Sequence, residues 1–210
     1  MRYIHRKNLF KIHLTTHSTV ITMPTLPPPS ALPSLSRERQ CQVLDTLFEP
    51  SPELHRMMIP LLNDQTFTSY PSLIDAVRAR MAALSSPNSP QDRAVLVDML
   101  GSHPRLGRPK VASQPEQLSE LSRKEQAQLN QGAEELGEKL RLLNVEYEEK
   151  FPGLRFVTFV NGRSREVIMV EMRQRMDRGD YEREVQESIQ AMCDIAKDRA
   201  SKLEVETAKI

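Results

Sequence analysis

The sequence predicts an all-α fold, a single compact bundle of about seven or eight helices, preceded by a disordered N-terminal extension. Apolar residues recur at helical spacing over most of the chain, and no internal repeat has the period of a solenoid. Only residues 155–160 form an apolar run that looks extended. Because an isolated strand is not stable, we expect this run to be a buried connector between two helices of a closed bundle.

The first half of the chain contains four predicted helices. Ser36 fits the N-cap of the first, and Pro50 and Pro52 end it, because proline cannot donate a backbone hydrogen bond. Gly101 follows the fourth helix as a natural C-cap residue. The predicted helices run from Ser36 to Phe48, from about Pro52 to Leu62, from Pro71 to Leu84 and from Gln91 to Leu100.

The second half contains three or four further helices. Ser122, with Glu125 three residues later, forms a capping-box signature. The helical pattern that follows runs to about Lys150, as one helix or as two divided at Gly132. The connector comes next, and the last two helices run from Ser164 to Arg178 and from Asp180 to about Val205.

Charge and composition exclude several classes of protein. The chain has 29 basic and 28 acidic residues, a net charge of +1, which argues against a nucleic-acid binder with a basic surface. No apolar run reaches the roughly eighteen residues of a membrane span. Cys41 and Cys193 lie far apart without metal-ligand spacing, so we expect a reducing, intracellular compartment and no disulfide. No cluster has zinc or calcium spacing, and no residue stands in a nucleophile motif.

We predict three segments: a basic extension rich in proline, serine and threonine over residues 1–34, a helical domain over 35–205 and a short tail over 206–210. The first 37 residues contain no aspartate or glutamate. Five prolines between Pro24 and Pro33 remove backbone donors, so we expect this stretch to hold no helix and to pack no core. It is either a disordered extension, including sequence upstream of a true start at Met23, or a mitochondrial transit peptide.

His103 is the first candidate for chemistry. It follows a helix end and precedes a proline, so a fixed turn can aim its ring, and imidazole has the ordinary pKa nearest neutral pH. His55 lies inside a helical pattern, where packing or a solvent-facing position is the default. Glu125 can simply complete a capping box, and Arg199 can be one more exposed base on its helix. On the residues alone, chemistry and structure remain open for all of them.

Several sequence blocks occur in an order that matches a known family. They are Leu47 to Glu49, Phe67 to Ser69, His103 to Gly107, Ser122 to Gln126, Leu143 to Phe151, Phe156 to Ser164, Arg173 to Met176, Glu184 and Ile195 to Arg199. Over about residues 44–203 the chain resembles the 2-oxo-4-hydroxy-4-carboxy-5-ureidoimidazoline (OHCU) decarboxylases, which catalyse the final step in the conversion of urate to S-allantoin. It departs from them at Arg105, where the family has an aspartate. We expect the Arg105 side chain to face solvent. It departs again at Gln128-Leu129-Asn130, where the family has Ala-Gly-Leu.

The resemblance implies a helical homodimer that uses no metal or organic cofactor and acts on a small-molecule substrate, with neither nucleic acid nor membrane as a partner. It assigns catalysis to His103, Glu125 and Arg199. It assigns substrate contacts to Pro104, Ser122 and Gln126 and to the backbone of Phe156, Val157, Thr158, Phe159 and Val160.

The C-terminal tripeptide Ala208-Lys209-Ile210 is close to the small-basic-aliphatic signal that the peroxisomal import receptor reads. We therefore expect a peroxisomal location, with the cytosol as the alternative. Two other functions compete with OHCU decarboxylation. One is a non-catalytic helical interaction domain, and the other is a divergent decarboxylase that acts on another small carboxylated heterocycle.

Overall fold

The computed structural model describes residues 26–86, 89–106 and 134–207, and over these ranges the chain is helical, without a strand. A 3-10 helix, Pro29–Ser34, precedes the α-helices. These are α1 (Arg37–Phe48), α2 (Pro52–Asp64), α3 (Tyr70–Leu84), α4 (Pro90–Leu100), α5 (Glu134–Lys150), α6 (Arg165–Arg178) and α7 (Tyr181–Thr207). The predicted all-α class is confirmed. None of the described helices is long and apolar enough to cross a bilayer.

Serine side chains cap the N-termini of five helices. Their hydroxyl oxygens accept hydrogen bonds from backbone N–H groups that have no partner inside the first turn. The capping residues are Ser36, Ser51, Ser69, Ser89 and Ser164, which precede α1, α2, α3, α4 and α6. The N-cap predicted at Ser36 and the C-cap predicted at Gly101 are confirmed. The capping box predicted at Ser122 and Glu125 lies outside the described residues.

The long helix α7 forms the centre of the bundle. It packs against α1, α3 and α4, while α5 packs against α6, and α2 packs against the 3-10 helix. Most of the side chains buried between these helices are apolar, and Leu44, Val77, Leu100 and Ile168 are fully buried. Burial of one such side chain stabilises the fold by roughly 1.5–3 kcal/mol relative to leaving it exposed. Apolar packing against α7 therefore holds α1, α3 and α4 together.

The proline-rich stretch before α1 also packs into the core. Leu32 is fully buried, and its carbonyl oxygen accepts a hydrogen bond from Gln40 Nε2 at 3.0 Å. The Tyr70 hydroxyl of α3 donates to the carbonyl oxygen of Pro27. The expectation that this stretch holds no helix and packs no core is therefore wrong for residues 26–34. A short helix tolerates proline at its start, because the first backbone N–H groups have no partner inside the helix.

Candidate active site

His103 lies in the turn that follows α4. The backbone N–H of Gly101 donates to the carbonyl oxygen of Val97 at 2.8 Å and ends the helix. Arg155, at the start of the connector, donates from Nη1 to the carbonyl oxygen of His103 at 3.2 Å. The His103 side chain is buried, and its Nε2 has no hydrogen-bond partner in the part of the chain that the structure describes. Because buried polar atoms normally have partners, this nitrogen is a candidate for contact with a ligand.

Burial and two nearby charges determine the protonation state of His103. Removal from water disfavours the imidazolium ion and lowers the pKa of His103 to about 4, and the positive charge of Arg199 acts in the same direction. The negative charge of Glu49 opposes them with a smaller effect. The imidazole is therefore neutral at pH 7 and can accept a proton.

Arg199 lies on α7, and its side chain is only 1% exposed. Its Nη2 contacts Oε1 of Glu49 at 2.8 Å, and its Nη1 donates to the carbonyl oxygens of Thr46 and Leu47 at 3.5 and 3.3 Å. These carbonyls lie in the last turn of α1, where the helix dipole attracts a cation. The interpretation of Arg199 as one more exposed base is therefore wrong, because its guanidinium is buried against the end of α1.

Helix α5 fixes the residues that follow His103. Asn144 donates from Nδ2 to the carbonyl oxygen of Leu106 at 3.0 Å. The guanidinium of Arg105 is exposed and pairs with both carboxylate oxygens of Glu148. The expectation that Arg105 faces solvent is confirmed, and its charge is matched by a carboxylate of α5.

The connector between α5 and α6 forms no strand, as predicted, and two arginines hold its backbone. Arg175 donates from Nη1 to the carbonyl oxygen of Val157 at 3.1 Å. The guanidinium of Arg163 donates to the carbonyl oxygen of Phe159 and, at 2.7 Å, to the hydroxyl of Thr158. The side chains of Phe156, Val157 and Thr158 are buried, and those of Phe159 and Val160 are half-buried. The course of the connector is thus fixed through its carbonyl oxygens.

A buried ion cluster holds Arg175 in turn. Glu184 of α7 is fully buried and accepts hydrogen bonds from Nε of Arg175 at 3.1 Å and from the hydroxyl of Tyr147. The Arg175 guanidinium also lies 4.7 Å from the ring centroid of Phe156, a cation–π contact. Buried charges are tolerated when they are paired and hydrogen-bonded, and these are. Helices α5, α6 and α7 meet at this cluster and support the connector.

The structure brings part of the predicted site together. Arg155 joins the connector to the backbone of His103, and the charge of Arg199 acts on the His103 ring. Pro104, the next residue after His103, is half-buried. The other predicted residues, Ser122, Glu125 and Gln126, lie outside the described residues, and their contribution stays a prediction. Within the described ranges, no three His, Cys, Asp or Glu side chains are grouped to hold a metal ion.

Glu49 is a residue of the site that no motif in the sequence singles out, beyond its place in a block that resembles the family. In the structure, Glu49 is 1% exposed, pairs with Arg199 and has a backbone φ of 85°. No local pattern predicts these features, because they arise from the packing of α7 against the end of α1.

The comparison with protein families identifies the chain. A profile described as OHCU decarboxylase matches residues 33–201, about four fifths of the sequence. The chain belongs to the OHCU decarboxylase family. The predicted resemblance is thereby confirmed, and the family is one of decarboxylases in urate degradation. A search of curated proteins finds no match.

Because the pKa of His103 is lowered in the folded protein, the unfolding free energy of this OHCU decarboxylase family member should depend on pH. Below pH 6.5 the imidazole of the unfolded chain binds a proton, whereas the folded imidazole stays neutral down to about pH 4. Acidification through this window therefore favours the unfolded state, by about 3 kcal/mol at pH 4. Between pH 7 and pH 4, we expect the unfolding free energy of the wild type to fall by about 3 kcal/mol more than that of His103→Asn. Urea denaturation at each pH measures both values.

Comparing how the unfolding free energy changes with pH, and not its absolute value, cancels any constant effect of the substitution on stability. If the plots of unfolding free energy against pH were parallel for the wild type and His103→Asn, His103 would titrate normally in the folded protein.

Proposed function

We propose that this chain decarboxylates OHCU to S-allantoin and that it needs no metal or organic cofactor to do so. The observation that carries the proposal is the buried imidazole of His103, whose Nε2 has no described partner and whose protonation responds to the charge of Arg199. The family profile supports the same reaction class. His103 and Arg199 thus provide one buried proton-transfer group and one buried, fixed cation.

The substrate can supply its own electron sink. When the bond to the carboxylate breaks and CO2 leaves, the electron pair moves into the ring and onto the nitrogen of the adjacent C=N bond. Arg199 is suited to stabilise the charge that develops there or on a ring carbonyl, because its planar guanidinium offers several N–H donors. Its contacts with the end of α1 hold this cation in place before the substrate arrives.

The reaction also requires proton transfer. One proton is taken up from solution overall: the ring hydroxyl loses its proton and becomes a carbonyl, while the ring nitrogen and the neighbouring carbon each gain one. The neutral imidazole of His103 can take up a proton when the anionic substrate binds, since a nearby negative charge favours imidazolium. Delivery of that proton from one side of the ring produces a single enantiomer.

The family resemblance supplies the remaining roles in the proposal. Glu125 accepts a hydrogen bond from the ring hydroxyl and steers that carbon toward a carbonyl. Pro104, Ser122 and Gln126 contact the substrate together with the backbone of the connector. The two arginines that clamp the connector carbonyls keep its backbone in a fixed position for such contacts.

A coupled assay tests the proposed reaction. Urate is oxidised in the presence of the purified chain, and the formation of chiral allantoin is followed by circular dichroism. We expect faster formation of S-allantoin than in spontaneous decay. His103→Asn should lower the rate by about 10²–10⁴-fold, the usual contribution of a positioned acid or base.

Thermal unfolding of His103→Asn serves as the control for a preserved fold. A wild-type rate equal to spontaneous decay would favour the non-catalytic interaction domain. Near-wild-type turnover by His103→Asn would remove His103 from the mechanism.

We also propose a homodimer. Its support is that the large apolar side chains exposed in the described residues all lie on α5 and α6, two helices that pack together. They are Leu142, Val145, Val167 and Val170. Concentrated exposed apolar residues commonly mark an interface between proteins.

We expect a dimer in sedimentation velocity. Val170→Asp should shift the protein to a monomer, whereas Ala79→Asp, on the exposed side of α3, should not. A wild-type monomer would contradict this proposal.

We propose a peroxisomal location on the basis of the C-terminal sequence Ala208-Lys209-Ile210. A fluorescent protein carrying residues 200–210 at its C-terminus should enter peroxisomes, and a matched fusion that ends at Glu206 should not. Diffuse fluorescence from both fusions would favour the cytosol.

A further inference from the structure

Glu49 combines three features that are unusual for a glutamate at a helix end. Its side chain is 1% exposed, its carboxylate contacts the guanidinium of Arg199 at 2.8 Å, and its backbone has φ 85° and ψ 154°. A positive φ of this size favours glycine and is strained for other residues. Such strain costs roughly 1–3 kcal/mol and persists where the surroundings determine it, commonly at functional sites.

Simpler residues would fit this position better if only the turn mattered. A glycine would remove the backbone strain, and an apolar side chain would avoid the burial of a carboxylate. Neither could balance the positive charge of Arg199 in the dry interior. The contact with Arg199 is therefore what the glutamate side chain contributes at this position.

The contacts of Arg199 are directional. The carbonyl oxygens of Thr46 and Leu47 and the carboxylate of Glu49 all come from one short stretch at the end of α1. Because the guanidinium is planar and its donors form a rigid fork, acceptors at both Nη1 and Nη2 fix the orientation of its plane. A shift at Glu49 would therefore rotate the cation as well as change the local charge.

We propose that Glu49 is a positioning residue for the decarboxylation reaction. Its buried carboxylate holds the guanidinium of Arg199 in the orientation that stabilises the negative charge developing on the substrate. This inference rests on the proposed function. In this inference Glu49 does not contact the substrate: it acts through its contact with Arg199, and its charge also acts, with a smaller effect, on the imidazole of His103.

Two substitutions test the role of Glu49. Glu49→Met keeps the length of the side chain but removes the acceptor oxygens, and we expect kcat to fall at least about 100-fold. Glu49→Gln keeps one acceptor oxygen but loses the negative charge, and we expect kcat to recover only to about one tenth of the wild-type value. KM should change less than about threefold in both, because an interaction made mainly in the transition state acts on kcat.

Each variant is assayed at a temperature where thermal unfolding shows that it is folded. If Glu49→Met does not fold, the tenfold loss expected in Glu49→Gln carries the test alone. Asp75→Asn is the matched control, because Asp75 forms an exposed ion pair with Lys197 on the same helix as Arg199. We expect this control to keep kcat within about twofold of the wild type.

The outcomes separate this inference from the proposed function. A folded Glu49→Met with wild-type kcat, or an unaffected Glu49→Gln where only that variant folds, would show that Glu49 serves the fold alone. An inactive wild type would instead refute OHCU decarboxylation itself, before any variant is compared.

Discussion

The burial of two opposite charges on α7 constrains the rest of the bundle. Glu184 lies near the start of this helix and Arg199 near its end, about 22 Å apart at 1.5 Å per residue, and both are at most 1% exposed. A buried charge without a partner costs several kcal/mol, so each requires a partner from another helix. Arg175 of α6 pairs with Glu184, and Glu49 at the end of α1 pairs with Arg199. The two pairs fix α6 and α1 at defined positions along α7, which apolar contacts alone would not do.

These pairs reach the site through short chains of contacts. From Glu184, the chain runs through Arg175 to the carbonyl oxygen of Val157 in the connector. At its start the same connector bonds to the backbone of His103 through Arg155. From the other end of α7, Arg199 acts on the imidazole through its charge. The turn that carries His103 is therefore positioned relative to both ends of α7.

The fold could be predicted largely from local signals. Serine caps, prolines and apolar spacing mark helices such as α1, and an apolar run without a partner strand indicates the connector. The 3-10 helix could not be predicted in this way, because Leu32 is stabilised by contact with α1 and α2 and not by its neighbours in the sequence. The role of Glu49 could not be predicted for a similar reason: its burial and its charge partner depend on a residue of the last helix.

The residues of the candidate site also differ in whether the sequence alone could predict their positions. His103 could be found from its position after a helix end, since that position sets its backbone direction. The burial of Arg199 could not, because its helix also carries exposed bases such as Lys202 at helical spacing. The spacing of apolar residues shows which face of a helix is buried. It cannot distinguish an arginine that is buried on that face from one that lies exposed at the border of the face. Only the structure distinguishes these two positions.

The burial of His103 also links substrate binding to proton uptake. With the pKa of His103 near 4, the free protein holds a neutral imidazole beside the cation of Arg199. An anionic substrate would offset that cation and favour imidazolium, so the site would become acidic only when it is occupied. As CO2 leaves, the negative charge of the carboxylate moves into the ring, and the imidazolium can then neutralise it by transferring its proton to the substrate. In the proposed reaction, the charge of the substrate thus controls both the arrival and the transfer of the proton that completes allantoin.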